Sequence, residues 1–266
     1  MATKISIGMS ADDIRPAFFD GVIGNADIVT PLTNSISSGH IPRVVFFTGA
    51  TGAGKTTLAR ILARSILCEN RPPGSFEPCD NCDSCHRSIA EFVGNHIDYD
   101  ERGAADIDKD WLDDLKFVVA RPWTVVFIDE LQDIRHEYVK RMRKIVEQVR
   151  GVMIFATTHR DKIEAAFLSR LCSYEYRLRR PKTLEVVDYF KRRFQEWELT
   201  YQNEQQLVRV ANALRCEMRP CGEFPRKVLA ETNGTLTDGY LDHLFGPESP
   251  SAGGNSTAEW DPNPTY

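Results

Sequence analysis

The chain has no apolar run near the roughly 20 residues that a membrane span requires. Met1 to Ser10 carry no basic stretch followed by an apolar core, so no secretory signal is read there. The expected location is cytoplasmic, with no membrane partner. A basic excess is missing too: 33 Lys and Arg stand against 38 Asp and Glu, a net charge of −5. That excludes a nucleic-acid binder working through bulk charge, while leaving room for a local basic stripe on an acidic body. No internal repeat is found. Cysteine is not scarce, but a cytoplasmic chain is not expected to use its seven cysteines as disulfides. Four of them, at 68, 79, 82 and 85, crowd into one window that points to metal.

What is present is an ordinary globular composition, 42% hydrophobic and 27% charged, on 266 residues, enough for one large domain and a small one. Apolar runs of strand length occur at Val44–Phe47, His96–Tyr99, Thr124–Ile128, Val152–Ala156 and Ser173–Leu178. Helical patterns separate them, at Asp110–Ala120 and at His136–Val149, where Tyr138, Met142, Ile145 and Val149 share a face. Strands alternating with helices predict an α/β fold, a parallel five-stranded sheet sandwiched by helices, over residues 1–180. After Pro181 only helical periodicity remains, at about 184–198, 204–214, 224–232 and 238–245, which predicts a small helical lid over 181–245. Residues 246–266 are rich in Pro, Gly, Ser and Asn and read as a disordered tail.

The chain is organised around Gly49-Ala50-Thr51-Gly52-Ala53-Gly54-Lys55-Thr56-Thr57, a Gly-x-x-x-x-Gly-Lys-Thr pattern between an apolar strand and a helix. Alone, it is a glycine-rich turn before a lysine; between strand and helix, it is a phosphate loop. The glycines let backbone N–H groups point at phosphates, and the helix adds the positive end of its dipole. Lys55 is expected on the β- and γ-phosphates and Thr56 on Mg²⁺. Val125-Val126-Phe127-Ile128 runs into Asp129 and Glu130. Two acids at a strand end are common; opposite a phosphate loop, Asp129 suits the Mg²⁺ shell and Glu130 the attacking water. The fourth run ends in Thr157-Thr158, hydroxyls at the tip of another strand.

Leu168-Ser169-Arg170 follows, and Phe224-Pro225-Arg226-Lys227 lies in the lid. The order of these parts resembles that of the AAA+ ATPases. Within them the chain is similar to the gamma/tau subunits of the bacterial DNA polymerase III clamp loader. The resemblance rests on Arg15-Pro16-x-x-Phe19-Asp20-x-Val22-Ile23-Gly24, the inserted cysteine window, Ala156-Thr157-Thr158 and Leu168-Ser169-Arg170. It implies ATP as cofactor, Thr157 and Thr158 as the sensor at the strand end, Arg170 as an arginine finger serving a neighbour, and Arg226 as the lid arginine. It also implies other clamp-loader-type subunits, DNA and a sliding clamp as partners. Glu130-Leu131-Gln132 stands where the family has Glu-Val-His. The family's helical collar is not expected in this chain.

Cys68, Cys79, Cys82 and Cys85 have the spacing Cys-x10-Cys-x2-Cys-x2-Cys, with Pro72, Pro73, Gly74 and Pro78 enforcing a loop-rich knob. Four thiolates in a module at about 68–86, with almost no core of its own, fit a structural Zn²⁺. A haem c motif at Cys82–His86 and unconnected thiols are the alternatives, and Cys172, Cys216 and Cys221 read as ordinary semi-buried residues. Lys140, Arg141, Arg143 and Lys144 lie on the outer face of the helix at 136–149. They are either a DNA-tracking stripe or a solvated face balanced by Asp133, Glu137 and Glu147. The expectation is a Mg²⁺-dependent ATPase of clamp-loader type in a multi-subunit assembly on DNA. The alternatives are an AAA+ ATPase serving another DNA transaction or remodelling client, and a structural ring subunit that hydrolyses little.

Overall fold

Val45 and Phe47 pack on one face of strand β1 (Val44–Gly49) and Phe46 on the other, and all three are fully buried. That two-residue alternation, apolar on both sides, is what a parallel strand covered by two layers requires. In the computed structural model, which describes residues 15–86 and 99–247, four more strands complete the sheet. They are β2 (Tyr99–Gly103), β3 (Val125–Asp129), β4 (Val152–Thr157) and β5 (Glu175–Leu178). The order is β2-β3-β4-β1-β5, every pairing is parallel, and Phe47 lies opposite Ala156 and Tyr176.

Helices α1 (Ala26–Ser37) and α2 (Lys55–Leu67) cover the face of Val45, Phe47, Phe127 and Ile154. The other face, with Phe46, Val126, Ile128 and Phe155, takes α4 (Lys109–Val118), α5 (His136–Gln148) and α6 (Ala165–Leu171). A short turn of helix, α3 (Asp83–His86), belongs to the cysteine window. The α/β sandwich expected from the sequence is therefore the fold. The expected strand at His96–Tyr99 falls outside the described residues except for Tyr99, which lies in β2.

Helices α7 (Thr183–Glu196), α8 (Glu204–Ala213), α9 (Met218–Thr232) and α10 (Asp238–Phe245) enclose a separate apolar cluster around Phe190, Phe194, Leu207 and Phe224. Two features differ from the purely helical reading. Thr200–Tyr201 (β6) and Thr235–Leu236 (β7) form a parallel pair, too short for any periodicity to betray. Helix α9 starts at Met218, well before the expected 224, because Pro220 sits in its first turn, where an N–H has no intrahelical acceptor to lose. No helix among the described residues is long and apolar enough to cross a membrane. The expected tail, apart from Gly246 and Pro247, lies outside the described residues.

Candidate functional site

The carboxyl ends of β1, β3 and β4 open at one edge of the sheet, and the loops that leave them meet there. Strand β1 runs into the phosphate-loop sequence at Gly49, with φ of 142° and the carbonyl of Leu178 so close that a Cβ would lie 2.2 Å from it. Only glycine fits there. Gly54 caps α2 in the left-handed region, so the helix starts at Lys55 with its first N–H groups turned toward the loop.

The Lys55 side chain is buried, and its ammonium donates to the carbonyls of Gly49 at 2.8 Å and Ala50 at 3.1 Å. Burial lowers its pKa, opposed by the nearby charges of Glu130 and Asp129. The Thr56 hydroxyl donates to Asp129 Oδ2 at 2.7 Å. Hydroxyl and carboxylate together are the hard oxygen donors that suit Mg²⁺. Asp129 Oδ1 accepts from the backbone N–H of Glu130 at 2.8 Å, and Glu130 stands in the left-handed region with φ of 49°. That conformation turns its side chain back over the strand ends. Its Oε2 accepts from Gln132 Nε2 at 2.8 Å and from the Thr158 hydroxyl at 3.0 Å. Burial acts to raise the Glu130 pKa, but those hydrogen bonds and the Lys55 charge outweigh it and hold the carboxyl below the usual range. The Thr157 hydroxyl donates to Gln132 Oε1 at 2.5 Å and accepts from His159 N at 3.1 Å. Thr157 and Thr158 thus reach Glu130 along two routes, one direct and one through Gln132.

A cavity lies over the loop between the sheet edge and the lid. Thr51 to Thr57 and Glu130 form its floor. Gly21, Val22 and Ile23 form one wall, and Tyr189, Arg193 and Arg219 come from the lid. The lid also touches the loop directly, with Met218 N donating to Gly52 O at 3.2 Å, and Arg180, just ahead of the lid, donates from Nε to Thr51 O at 3.2 Å. Arg226 is not among the residues lining this cavity; Arg219 is. Because α9 starts earlier than its periodicity suggests, its first turn carries Arg219 to the pocket, with Arg226 about 10 Å further along the axis.

Arg170 does not line the cavity either. It sits on α6, half-buried, with Nε donating to Glu147 at 2.5 Å and a guanidinium N–H donating to Ala166 O. Two other nearby acids are taken by other arginines: Glu164 pairs with Arg143 at 2.8 Å and Glu175 with Arg160 at 2.7 Å. On α5, Lys140 and Lys144 are exposed, while Arg141 pairs across to Asp113 at 2.5 Å. The balancing acids of Arg141 and Arg143 thus come from neighbouring elements and not from Asp133, Glu137 or Glu147.

The sulfurs of Cys68, Cys79, Cys82 and Cys85 all lie within 4.8 Å of one another, and none is in a disulfide. Backbone N–H groups of Cys79 and Asn81 point at the sulfurs of Cys68 (3.2 Å) and Cys79 (3.4 Å). N–H···S bonds of this kind support thiolates, and four convergent sulfurs with two of the residues buried are the donor set of a closed tetrahedral Zn²⁺ site. Burial works to raise the Cys82 thiol, yet backbone N–H groups of Glu69 and Cys85 bring it down to about 6. Of the other cysteines, Cys216 and Cys221 are buried in the lid, while Cys172 is exposed and not semi-buried as expected.

Sequence reading missed Gln132, Tyr189, Arg193 and Arg219. Gln132 stood beside the acids and carried a usable signal; Tyr189 and Arg193, on α7, carried none, and Arg219 carried none until the start of α9 was known.

Residues 24–177 match the family described as DNA polymerase III, delta subunit. The chain is 31% identical over 180 residues to DNA polymerase III subunit gamma/tau of Mycobacterium bovis, covering 65% of this chain and 31% of that protein. It is 31% identical over 241 residues to DNA polymerase III subunit gamma of Buchnera aphidicola subsp. Baizongia pistaciae, covering 87% of this chain and 63% of the relative. It therefore spans less than two thirds of either relative's length. Among solved structures, the RuvB Holliday junction branch migration motor of Thermotoga maritima superposes with a TM-score of 0.61 at 17% identity, covering 84% of this chain and 69% of that one. The last likeness shows the fold, and the family match over more than half of the chain gives the conclusion: the chain belongs to the DNA polymerase III delta-subunit family.

Proposed function

We propose that the chain is a Mg²⁺-dependent ATP-hydrolysing module of clamp-loader type, acting with other such subunits on DNA. The observation that carries this reading is the meeting of Lys55, Thr56, Asp129 and Glu130 at one sheet edge, with Thr56 and Asp129 already hydrogen-bonded. The loop N–H groups and Lys55 hold the β- and γ-phosphates, for which Lys55 exchanges its present carbonyl partners. Thr56 and Asp129 hold Mg²⁺, which when bound neutralises charge on the phosphate oxygens. Glu130, ionised because its hydrogen bonds favour the charged form, aligns a water and takes up its proton. Arg219 and Arg193 bring positive charge from the lid, so nucleotide draws lid and sheet together. Arg170 serves the site of a neighbouring subunit.

The four cysteines hold Zn²⁺ for stability, away from the chemistry. The family and its gamma and gamma/tau relatives support a place in replication, with a sliding clamp as the client. Lys55→Ala tests the nucleotide site: binding of a fluorescent ATP analogue should weaken at least about a hundredfold, because a buried charged contact to phosphate is lost. Unchanged binding would end the reading.

A further inference from the structure

Glu77 lies in the loop that carries the four cysteines, but its carboxylate reaches out of that module. Oε2 accepts from the backbone N–H of Phe19 at 3.1 Å, and Oε1 from that of Asp20 at 3.2 Å. These N–H groups open the short 3-10 turn Phe19–Gly21, where no acceptor is available within the turn. The residues that follow, Gly21, Val22 and Ile23, are the wall of the cavity over the phosphate loop. Phe76, next to Glu77, packs edge-on against Phe19 with ring centroids 6.1 Å apart.

Arg64, in the last turn of α2, fastens both sides at once. It donates to Ala17 O at 3.3 Å and lies over the Phe18 ring at 5.5 Å. It also donates to Cys85 O at 3.1 Å and pairs with Asp80 within the module. The turn is tightly folded on itself, since a Cβ on Gly21 would lie 2.5 Å from Pro16 Cβ. Residues from Pro16 to Gly21 are thus one closely packed piece of chain. At the front of that piece Arg15 donates to Thr57 Oγ1 at 3.0 Å, beside the phosphate loop. One short segment is thus tied to the phosphate-loop helix at one end and to the cysteine module at the other.

We propose that the cysteine module braces the nucleotide pocket, with Glu77 as the positioning residue that holds the Phe19–Gly21 turn and so the Gly21–Ile23 wall. The proposal rests on the nucleotide reading above. Glu77 touches no ligand; it acts through the backbone it grips. Its reach is set because Cys68 and Cys79, on either side of it in sequence, are gathered into one cluster. The four thiolates would hold a metal that ties that loop down, and the loop holds the wall through Glu77.

The test measures affinity for a fluorescent ATP analogue, turnover at saturating ATP, and Zn²⁺ content for the wild type, Glu77→Ala, Glu77→Gln and Phe76→Ala. Glu77→Ala should keep about one Zn²⁺ per chain and bind nucleotide about tenfold more weakly, the scale of a lost charged hydrogen-bond pair, with turnover at saturation near wild type. Glu77→Gln, which keeps an acceptor oxygen, should fall between. Phe76→Ala removes the packing without the carboxylate, and should weaken binding in the same direction should Glu77→Ala fail to fold. Wild-type affinity in folded Glu77→Ala, or in Phe76→Ala, would overturn the brace. A wild-type chain that binds no nucleotide would overturn the nucleotide reading and the brace with it.

Discussion

The amide of Gln132 faces two partners of opposite kind. Its nitrogen donates to Glu130 and its oxygen accepts from Thr157, so both ends of the amide are used. Every donor to the Glu130 carboxylate stabilises the charged form and lowers its pKa; removing one lets the pKa rise. A general base works only when ionised, so rate is lost as pH falls through that pKa. Gln132→Ala should therefore move the acid limb of the pH–rate profile at saturating ATP upward, with nucleotide affinity unchanged. An acid limb that stays in place would remove Gln132 from the positioning of Glu130. At the same scale, burial pulls the Lys55 pKa down, and two carbonyl acceptors and the charges of Glu130 and Asp129 favour its ammonium form.

Helix α5 shows how an element divides its charges. Val139, Met142, Ile145 and Val146 anchor it to the sheet, which sends the basic residues outward. Arg141 and Arg143 are engaged with Asp113 and Glu164, while Lys140 and Lys144 are exposed. Any DNA contact by this helix should therefore depend first on the two lysines. Reversing Lys140 and Lys144 to Glu should abolish stimulation of the ATPase by DNA and change stability by less than about 0.5 kcal/mol, as is usual for exposed sites. Stimulation that survives the double reversal would return the helix to an ordinary solvated face. Elements with a strong period were legible in the sequence, and α5 is one of them. The central strands β1, β3 and β4 were legible because they are apolar on both faces and end in Gly49, Asp129 and Thr157. Helix α9 was misread at its start because Pro220 and Gly222 look like breakers, although a proline in a first turn costs no hydrogen bond. That misreading took Arg219 with it. The cysteine spacing announced a metal cluster, but nothing in the sequence links Glu77 to a turn 57 residues away.

At the scale of the whole molecule, the lid and the sheet close over one cavity, yet Arg170 stands outside it on α6. Its ion pair with Glu147 is partly solvent-exposed, and such a pair is worth only about 0–1 kcal/mol. A γ-phosphate on a neighbouring subunit can therefore compete for the guanidinium at small cost. Under the proposed function the pocket belongs to one chain and the finger to the next, with Glu130 as the base that the finger cannot replace. The most direct measurement is steady-state ATP turnover by Arg170→Ala, by Glu130→Gln and by the two combined, with nucleotide binding and co-assembly verified in each sample. Both variants should bind ATP and each alone should turn over at least about a hundredfold more slowly, because a positioned base or a charge-neutralising donor is absent. The mixture should recover part of the activity, through interfaces that pair an intact pocket with an intact finger. Glu130→Gln hydrolysing ATP at the wild-type rate would contradict the account.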